Sequence, residues 1–409
     1  MSSHSVRSTV VEEPFDLLAN VPDGSGPVWL HGGGGLVGLG EAARFEIAPG
    51  AGRFERSQAA IASFFSSCTV HDEVEELGSG PVAFGAFTFD RDAAGSALVV
   101  PQVVLGSRGG RHWVTAVDGA EPPPLRASPP TPAPTERIRY AGSTMSELRW
   151  LEIVARVIGV IEEGKLDKVV LARDLLVWSK TGFDLRVLAG RLAALYPQCF
   201  TFVFDGLIGA TPELLVRRRG LDVESLVLAG SAARGRDEAA DERLGFDLLH
   251  SVKDLDEHRP ALESVRSVLS GVCSELASDA EPFLLKLSNV QHLATKLRGR
   301  LASPLSALEL AGSLHPTAAI CGTPTTVAQE LIHSLEGMQR ARYSGPVGWI
   351  SASGDGEWGI ALRCAELNGG RGRLFAGSGI VKGSLPEAEL EETRLKLRAM
   401  QAALEGLAL

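Results

Sequence analysis

From Lys168 to Val177 the chain reads KVVLARDLLV, an apolar run of strand length that follows a turn at Gly164. A run without polar alternation suits a strand covered on both faces. Phe200–Phe204, Leu214–Arg217 and Val223–Leu228 predict further strands, and the signal returns at Val347–Ser351, Gly359–Leu367 and Leu374–Val381. Upstream, residues 27–118 mix glycine with short apolar runs (PVWLHG, FGAFTF, ALVVPQVVLG), which predicts antiparallel strands.

Helical spacing occurs in three places. Thr144-Met-Ser-Glu147 has the spacing of a capping box, and Leu148, Leu151, Ala155, Ile158 and Ile161 would form one apolar face before Gly164 ends the helix. The pattern from Asp241 to Val272 is also helical. Ser384-x-x-Glu387, with Pro386 in the first turn, predicts a last helix. Strand runs adjoin one another instead of alternating with helices. The class expected is therefore α+β, with large antiparallel-rich sheets layered with helices. No internal repeat is visible.

Composition divides the chain. Glu121–Glu136, EPPPLRASPPTPAPTE, can be neither helix nor central strand, so 121–140 is expected to be an exposed connector. It separates a sheet-rich region of the same fold (1–120) from the chemistry-bearing region (141–409). The apolar fraction is 44% and the charged fraction 22%, as in ordinary globular enzymes. Net charge is −10 and the longest basic run is Arg217-Arg218-Arg219. Neither a nucleic acid nor an anionic membrane is therefore an expected partner. Five cysteines, scattered and without a C-x-x-C pair, argue against a disulfide framework or a zinc cluster and fit a reducing cytoplasm. Met1–Phe15 is polar where a signal peptide would be apolar, and no stretch nears the roughly 18 apolar residues of a membrane span.

Gly33-x-Gly35-x-x-Gly38 matches a dinucleotide-binding fingerprint in letters only. That motif works by opening a helix onto a pyrophosphate, and the following LVGLGEAARFEI has no helical period. A turn between strands is expected instead.

Ionisable groups fall beside apolar sequence at four points. Lys168 begins the KVVLAR strand, sharing a face with Val170 and Ala172 while Arg173 points the other way. Glu213 stands before the strand LLVRR, where a simple ion pair with Arg217 or Arg218 is the plain alternative. Asp254, Glu257 and His258 have the offsets of one helical face, and oxygen ligands there suit a hard cation such as Mg²⁺; a solvated charged face with Lys253 and Arg259 is the alternative. Glu389, Glu392 and Lys396 share a face of the last helix, after a glycine-rich strand FAGSGIVKG that offers bare backbone N–H groups to an anion. An ordinary i,i+4 ion-pair helix, Glu392 to Lys396, is the plainer account of that spacing.

The order of several segments is more specific. LDKVVLAR, GATPELLVRR, LAGSAARG, SVKDLDEHRPALE, KLSNVQHLATKLRGRL, LHPTAAICGTP, RYSGPVGWIS, GEWGIALRCAEL and LFAGSGIVKGSLPEAELEETRLKL, from about Leu148 to Leu397, resemble the chorismate-binding enzymes. That family includes isochorismate synthases, salicylate synthases and the synthase subunits for anthranilate and aminodeoxychorismate. The resemblance implies that Lys168 activates an attacking water and that Glu213 protonates the leaving hydroxyl. It implies Mg²⁺ on Glu257 and Glu392, supported by Asp254 and Glu389. Gly377 and Lys396 would hold one substrate carboxylate, Arg363 and Tyr343 would face the other, and Gly230, Ser231, His292, Ala319 and Ile320 would line the pocket.

These types suit the chemistry. Chorismate is a dianion whose charge a cation, Arg and Lys offset. Adding water at C2 while expelling the C4 hydroxyl needs a base on one side and an acid on the other, and the acid must stay protonated near neutral pH. Within the family, lysine at 168 points to water as nucleophile, where anthranilate synthases typically carry glutamine. LAGSAARG lacks the lysine that aminodeoxychorismate synthases place there. A glutaminase partner is therefore not expected, and a monomer, the family's usual habit, is. Ala319-Ile320 resembles isochorismate synthases, whereas Tyr343 resembles salicylate synthases, which go on to eliminate pyruvate. Isochorismate synthase is the expected activity, with salicylate synthase and a non-catalytic chorismate-binding homologue as alternatives. For an isochorismate synthase the resemblance implies a product that feeds siderophore, menaquinone or another biosynthesis.

Overall fold

The computed structural model describes residues 3–21, 26–128 and 138–407. Two large sheets dominate them, one of 13 strands and one of 10. All pairings are antiparallel except that of His4–Val11 with Cys68–Asp72. Strands from before and after the proline run enter both sheets: Val28–His31 pairs with Phe200–Phe204 in the larger, and Val82–Ala86 with Pro346–Ser351 in the smaller. The central part of the connector, residues 129–137, lies outside the described residues.

The sheets pack face to face through large apolar side chains. Trp29, Trp113, Phe202 and Phe375 of the larger sheet meet Phe84, Val99 and Trp349 of the smaller in one buried cluster. Each such side chain contributes about 1.5–3 kcal/mol by leaving water. Helices cover the outer faces; Glu147–Glu162 and Val252–Val272 share a second cluster with the smaller sheet and the Lys168–Trp178 strand.

The dinucleotide-like letters form a hairpin. Val28–His31 pairs with Gly34–Leu39, and Gly32 and Gly33, with φ of 58° and 81°, make the two-residue turn between them.

Local signals misled in four places. Ser146 caps the Glu147–Glu162 helix through Arg149 N–H, because the Thr144 hydroxyl and amide are both taken by Asp174. The buried face of that helix is Trp150, Ile153, Val154, Val157 and Ile161, and Leu148 is 69% exposed. The large indole decides which face turns inward. The helical stretch 241–272 is two helices, Glu238–His250 and Val252–Val272, hinged at Ser251, whose hydroxyl caps the second. At the last helix, Pro386–Glu405, Ser384 accepts from Val381 N–H instead of capping.

The fourth case positions the site. The run Gly359–Leu367 is two strands, Gly356–Ile360 in the smaller sheet and Cys364–Asn368 in the larger. The chain crosses between sheets at Ala361–Arg363. It crosses beside this at Pro212–Glu213, between Leu207–Thr211 in the larger sheet and Leu214–Arg219 in the smaller. An apolar run continues unbroken through a crossing because both sheets are buried, so periodicity cannot reveal it.

Candidate active site

Crossing residues leave the sheet ladders, and their side chains enter the gap that opens where the sheets part. Glu213 and Arg363 come from the two crossings and line one cavity of about 660 Å³ counted to its mouth. The same wall includes Gly230, Ser231, Glu257, His292, Ala319, Ile320, Tyr343, Gly377 and Lys396. These residues, far apart in sequence and expected at one pocket, meet there, whereas Lys168, Asp254, Glu389 and Glu392, expected at the same site, do not line the cavity.

Glu213 is 4% exposed. Arg217 and Arg218 turn away to Glu357 and Asp355, so the simple ion pair does not form. Burial pushes the Glu213 carboxyl up to about 8, against the opposing pull of Lys168 and Lys396. It is an acid that keeps its proton at neutral pH.

Lys168 is fully buried and does not itself line the cavity; it lies behind Glu257 and Gly379, which do. Its Nζ donates to the Glu257 carbonyl at 3.1 Å and lies 3.3 Å from Glu257 Oε1. Glu257 in turn packs over Gly379, where a Cβ would fall 2.1 Å from Oε1.

On the opposite wall, His292 Nδ1–H donates to the Gly230 carbonyl at 3.2 Å beside Ser231 Oγ at 3.0 Å, which leaves Nε2 to accept from Arg363 Nη2. Burial, with Arg363 and Lys396 close by, holds His292 well below its ordinary value, so it is neutral. Arg363 Nη1 is buried and has no hydrogen-bond partner among the described residues. A buried guanidinium N–H left open in a cavity suits an anionic ligand. Tyr343 stacks on Phe375 with ring centroids 5.0 Å apart.

The acidic positions lie on two facing helices. Asp254 and Glu257 come from Val252–Val272, Glu389 and Glu392 from Pro386–Glu405. His258 leaves this face: its Nδ1–H donates to the Ala229 carbonyl at 3.1 Å and its Nε2 accepts from Thr295 at 2.8 Å, and burial lowers it to about 4. Burial pushes Asp254 and Glu389 up, with Glu392 adding repulsion to both. Although burial opposes it, Lys396 at 2.5 Å holds Glu392 down. Lys396 also donates to the Gly377 carbonyl at 2.9 Å, and Lys253 pairs with Glu389 at 2.7 Å. Among the described residues no three His, Cys, Asp or Glu side chains form a ready metal cage. The donor set is nevertheless one that a hard divalent cation fits: oxygen only, partly buried, and crowded by like charge.

The sequence missed Lys253, which resembled a solvated helix charge, and Ser378, whose hydroxyl donates to Glu389 at 2.5 Å. Leu362 and Phe375 also line the cavity, and apolar character alone could not mark them as site residues.

A family model described as chorismate binding enzyme matches residues 124–405. Isochorismate synthase DhbC of Bacillus subtilis is 42% identical over 256 residues, 60% of this chain and 64% of that protein, a little under two thirds of its length. Isochorismate synthase MenF of the same organism is 33% identical over 362 residues, 82% of this chain and 77% of its own. In structure, the menaquinone-specific isochorismate synthase MenF from Escherichia coli superposes with a TM-score of 0.78 at 25% identity, covering 98% of this chain and 95% of that one.

Proposed function

The chain belongs to the chorismate-binding enzymes, and from that premise we propose that it is an isochorismate synthase, a hydroxymutase that turns chorismate into isochorismate. The observation that carries this reading is a buried carboxyl raised to about 8 in the cavity that Lys168 lies behind and Arg363 overlooks. One acid that stays protonated and one amine on another side are what water addition with loss of hydroxide requires.

In this reading Arg363 Nη1 and Tyr343 take the enolpyruvyl carboxylate, with neutral His292 fixing the guanidinium. Lys396 and the Gly377 backbone take the ring carboxylate. Lys168 Nζ, acting as the neutral amine, removes a proton from water as its oxygen bonds to C2. Both ring double bonds shift by one position, C1=C2 to C1=C6 and C5=C6 to C4=C5, the C4–O bond breaks, and Glu213 gives its proton to the departing hydroxyl, which leaves as water. Glu257 and Glu392, backed by Asp254 and Glu389, would hold Mg²⁺, which when bound offsets the substrate's negative charge. Water as nucleophile calls for no glutaminase subunit. Among the described residues no helix is long and apolar enough to cross a membrane.

Tyr343 on the cavity wall favours a second reading, salicylate synthase, in which bound isochorismate loses pyruvate. Chorismate with Mg²⁺ followed by product chromatography separates the two. Isochorismate alone supports the proposal, and salicylate with pyruvate replaces it. Unchanged chorismate points to a binding protein.

A further inference from the structure

The strand that carries Lys168 is paired along its whole length with Arg371–Val381 on one side. On the other side its partners are short. Gly322–Thr323 reaches only Lys168 and Val169, and Arg139–Tyr140 only Val177 and Trp178. The Val170 amide donates to the Cys321 carbonyl at 2.8 Å. The next two groups along this edge, the Val170 carbonyl and the Ala172 amide, meet side chains instead of a strand. Arg340 Nη2 donates to Val170 O at 2.7 Å, and Glu336 Oε1 accepts from Ala172 N–H at 2.8 Å.

Glu336 and Arg340 are joined to each other through Nε and Oε2 at 2.9 Å and through Nη2 and Oε1 at 2.5 Å. Arg340 Nη1 then donates to the Ile320 carbonyl at 2.9 Å. Both side chains are buried, and the guanidinium lies 4.3 Å from the Phe89 ring centroid. Neither touches the cavity, yet Val170 and Ile320, whose backbones they clamp, both line it. A planar guanidinium with fixed donor directions can span three acceptors at set distances, which an ammonium cannot.

We propose that Glu336 and Arg340 are positioning residues, a side-chain substitute for a missing strand segment. They set the separation between the Lys168 strand and the Ala319–Ile320 wall, and with it the aim of Lys168 at the substrate ring. This rests on the reading of the cavity as the chorismate site.

The test uses full-length Arg340→Lys and Glu336→Gln, with Val157→Ala as a buried-core control away from the cavity. Four quantities are read: kcat and KM for chorismate with Mg²⁺, Tm, and amide hydrogen exchange of peptides covering 168–174. A misaimed group costs turnover more than binding, so Arg340→Lys should lower kcat on the order of 10²-fold with KM little changed. Exchange protection at Val170–Ala172 should fall as well. Glu336→Gln keeps an acceptor and should show a smaller loss in both. Val157→Ala should lower Tm without lowering kcat. An unchanged kcat in Arg340→Lys beside a control-like fall in Tm would overturn the proposal, as would unchanged exchange. If Arg340→Lys does not fold, Glu336→Gln carries both readouts. If the unmodified protein leaves chorismate untouched, the reading of the cavity fails, and exchange alone decides whether the pair braces the strand.

Discussion

Lys168 Nζ sits 3.3 Å from Glu257 Oε1 and bonds the carbonyl of the same residue. The proposed base and a proposed metal ligand are therefore one buried electrostatic unit. Removing one member of such a pair strands the other's charge, at a cost of about 3–5 kcal/mol. Lys168→Ala should thus lower both turnover, by on the order of 10² or more, and Tm. Lys168→Ala combined with Glu257→Gln should recover much of the Tm and none of the activity. Near-normal turnover in the single variant would refute the role of Lys168.

Glu213 makes the reaction pH-dependent. Its folded-state value, about 8, lies above the ordinary 4.5. The folded protein thus holds a proton that the unfolded chain releases. Stability from this group is present below about pH 4.5 and is lost as pH rises towards 8. Turnover should fall along the basic limb near pH 8, where the acid ionises. Glu213→Gln should lower turnover by on the order of 10² or more, and its Tm should exceed the parent's at pH 8 but not at pH 4. Equal melting at both pH values would contradict the protonated assignment.

Arg363 faces two ways, Nη2 to His292 and Nη1 into the cavity. Loss of a charge-assisted hydrogen bond costs roughly 1.5–3 kcal/mol, or about 10- to 100-fold in binding. We expect Arg363→Ala to raise KM for chorismate by that factor. Arg363→Lys should not restore it, since one ammonium cannot serve both directions. Steady-state kinetics decide the point, and a KM unaffected by Arg363→Ala would remove it from substrate binding.

Magnesium should be required. Chelation with EDTA should abolish turnover and added Mg²⁺ restore it, while Glu392→Gln should weaken Mg²⁺ binding measured by calorimetry. Lys396 and Lys253, which pair with Glu392 and Glu389, compete for those carboxylates, so weak affinity at low Mg²⁺ is expected. Activity that survives thorough chelation would exclude the metal.

Much of this architecture is legible from apolar period alone: the pattern bounds Phe200–Phe204 to the residue and the Lys168 strand to within one. Fully covered strands carry a strong, continuous signal. What period cannot show is which sheet a strand joins, so the crossing at Ala361–Arg363 was hidden inside one apolar run. Nor can it show partners distant in sequence. Thr144 gives its cap to Asp174, and Lys253 reads as a solvated charge until Glu389 arrives from the last helix. The site residues themselves were legible through the family resemblance; from spacing alone each had an ordinary explanation.

Gly379 offers the sharpest single-atom test. It occupies the strand beside Val170, and the Glu257 carboxylate rests against it. A Cβ here would fall 2.1 Å from Glu257 Oε1 and 3.1 Å from Lys168 Cε, so Glu257 must move while the strand backbone need not. In a strand interior alanine is favoured over glycine by roughly 0.5–1 kcal/mol from backbone entropy alone, so any loss of Tm comes from the contact with Glu257. Gly379→Ala should therefore fold with a modest loss of Tm, yet lower turnover sharply and raise the Mg²⁺ concentration needed for half-maximal rate. Gly372→Ala, in the same strand away from the cavity, meets Leu367 and Val177 side chains instead and should cost stability without that shift in Mg²⁺. If both variants show the same Mg²⁺ dependence as the parent, Glu257 does not act on the metal.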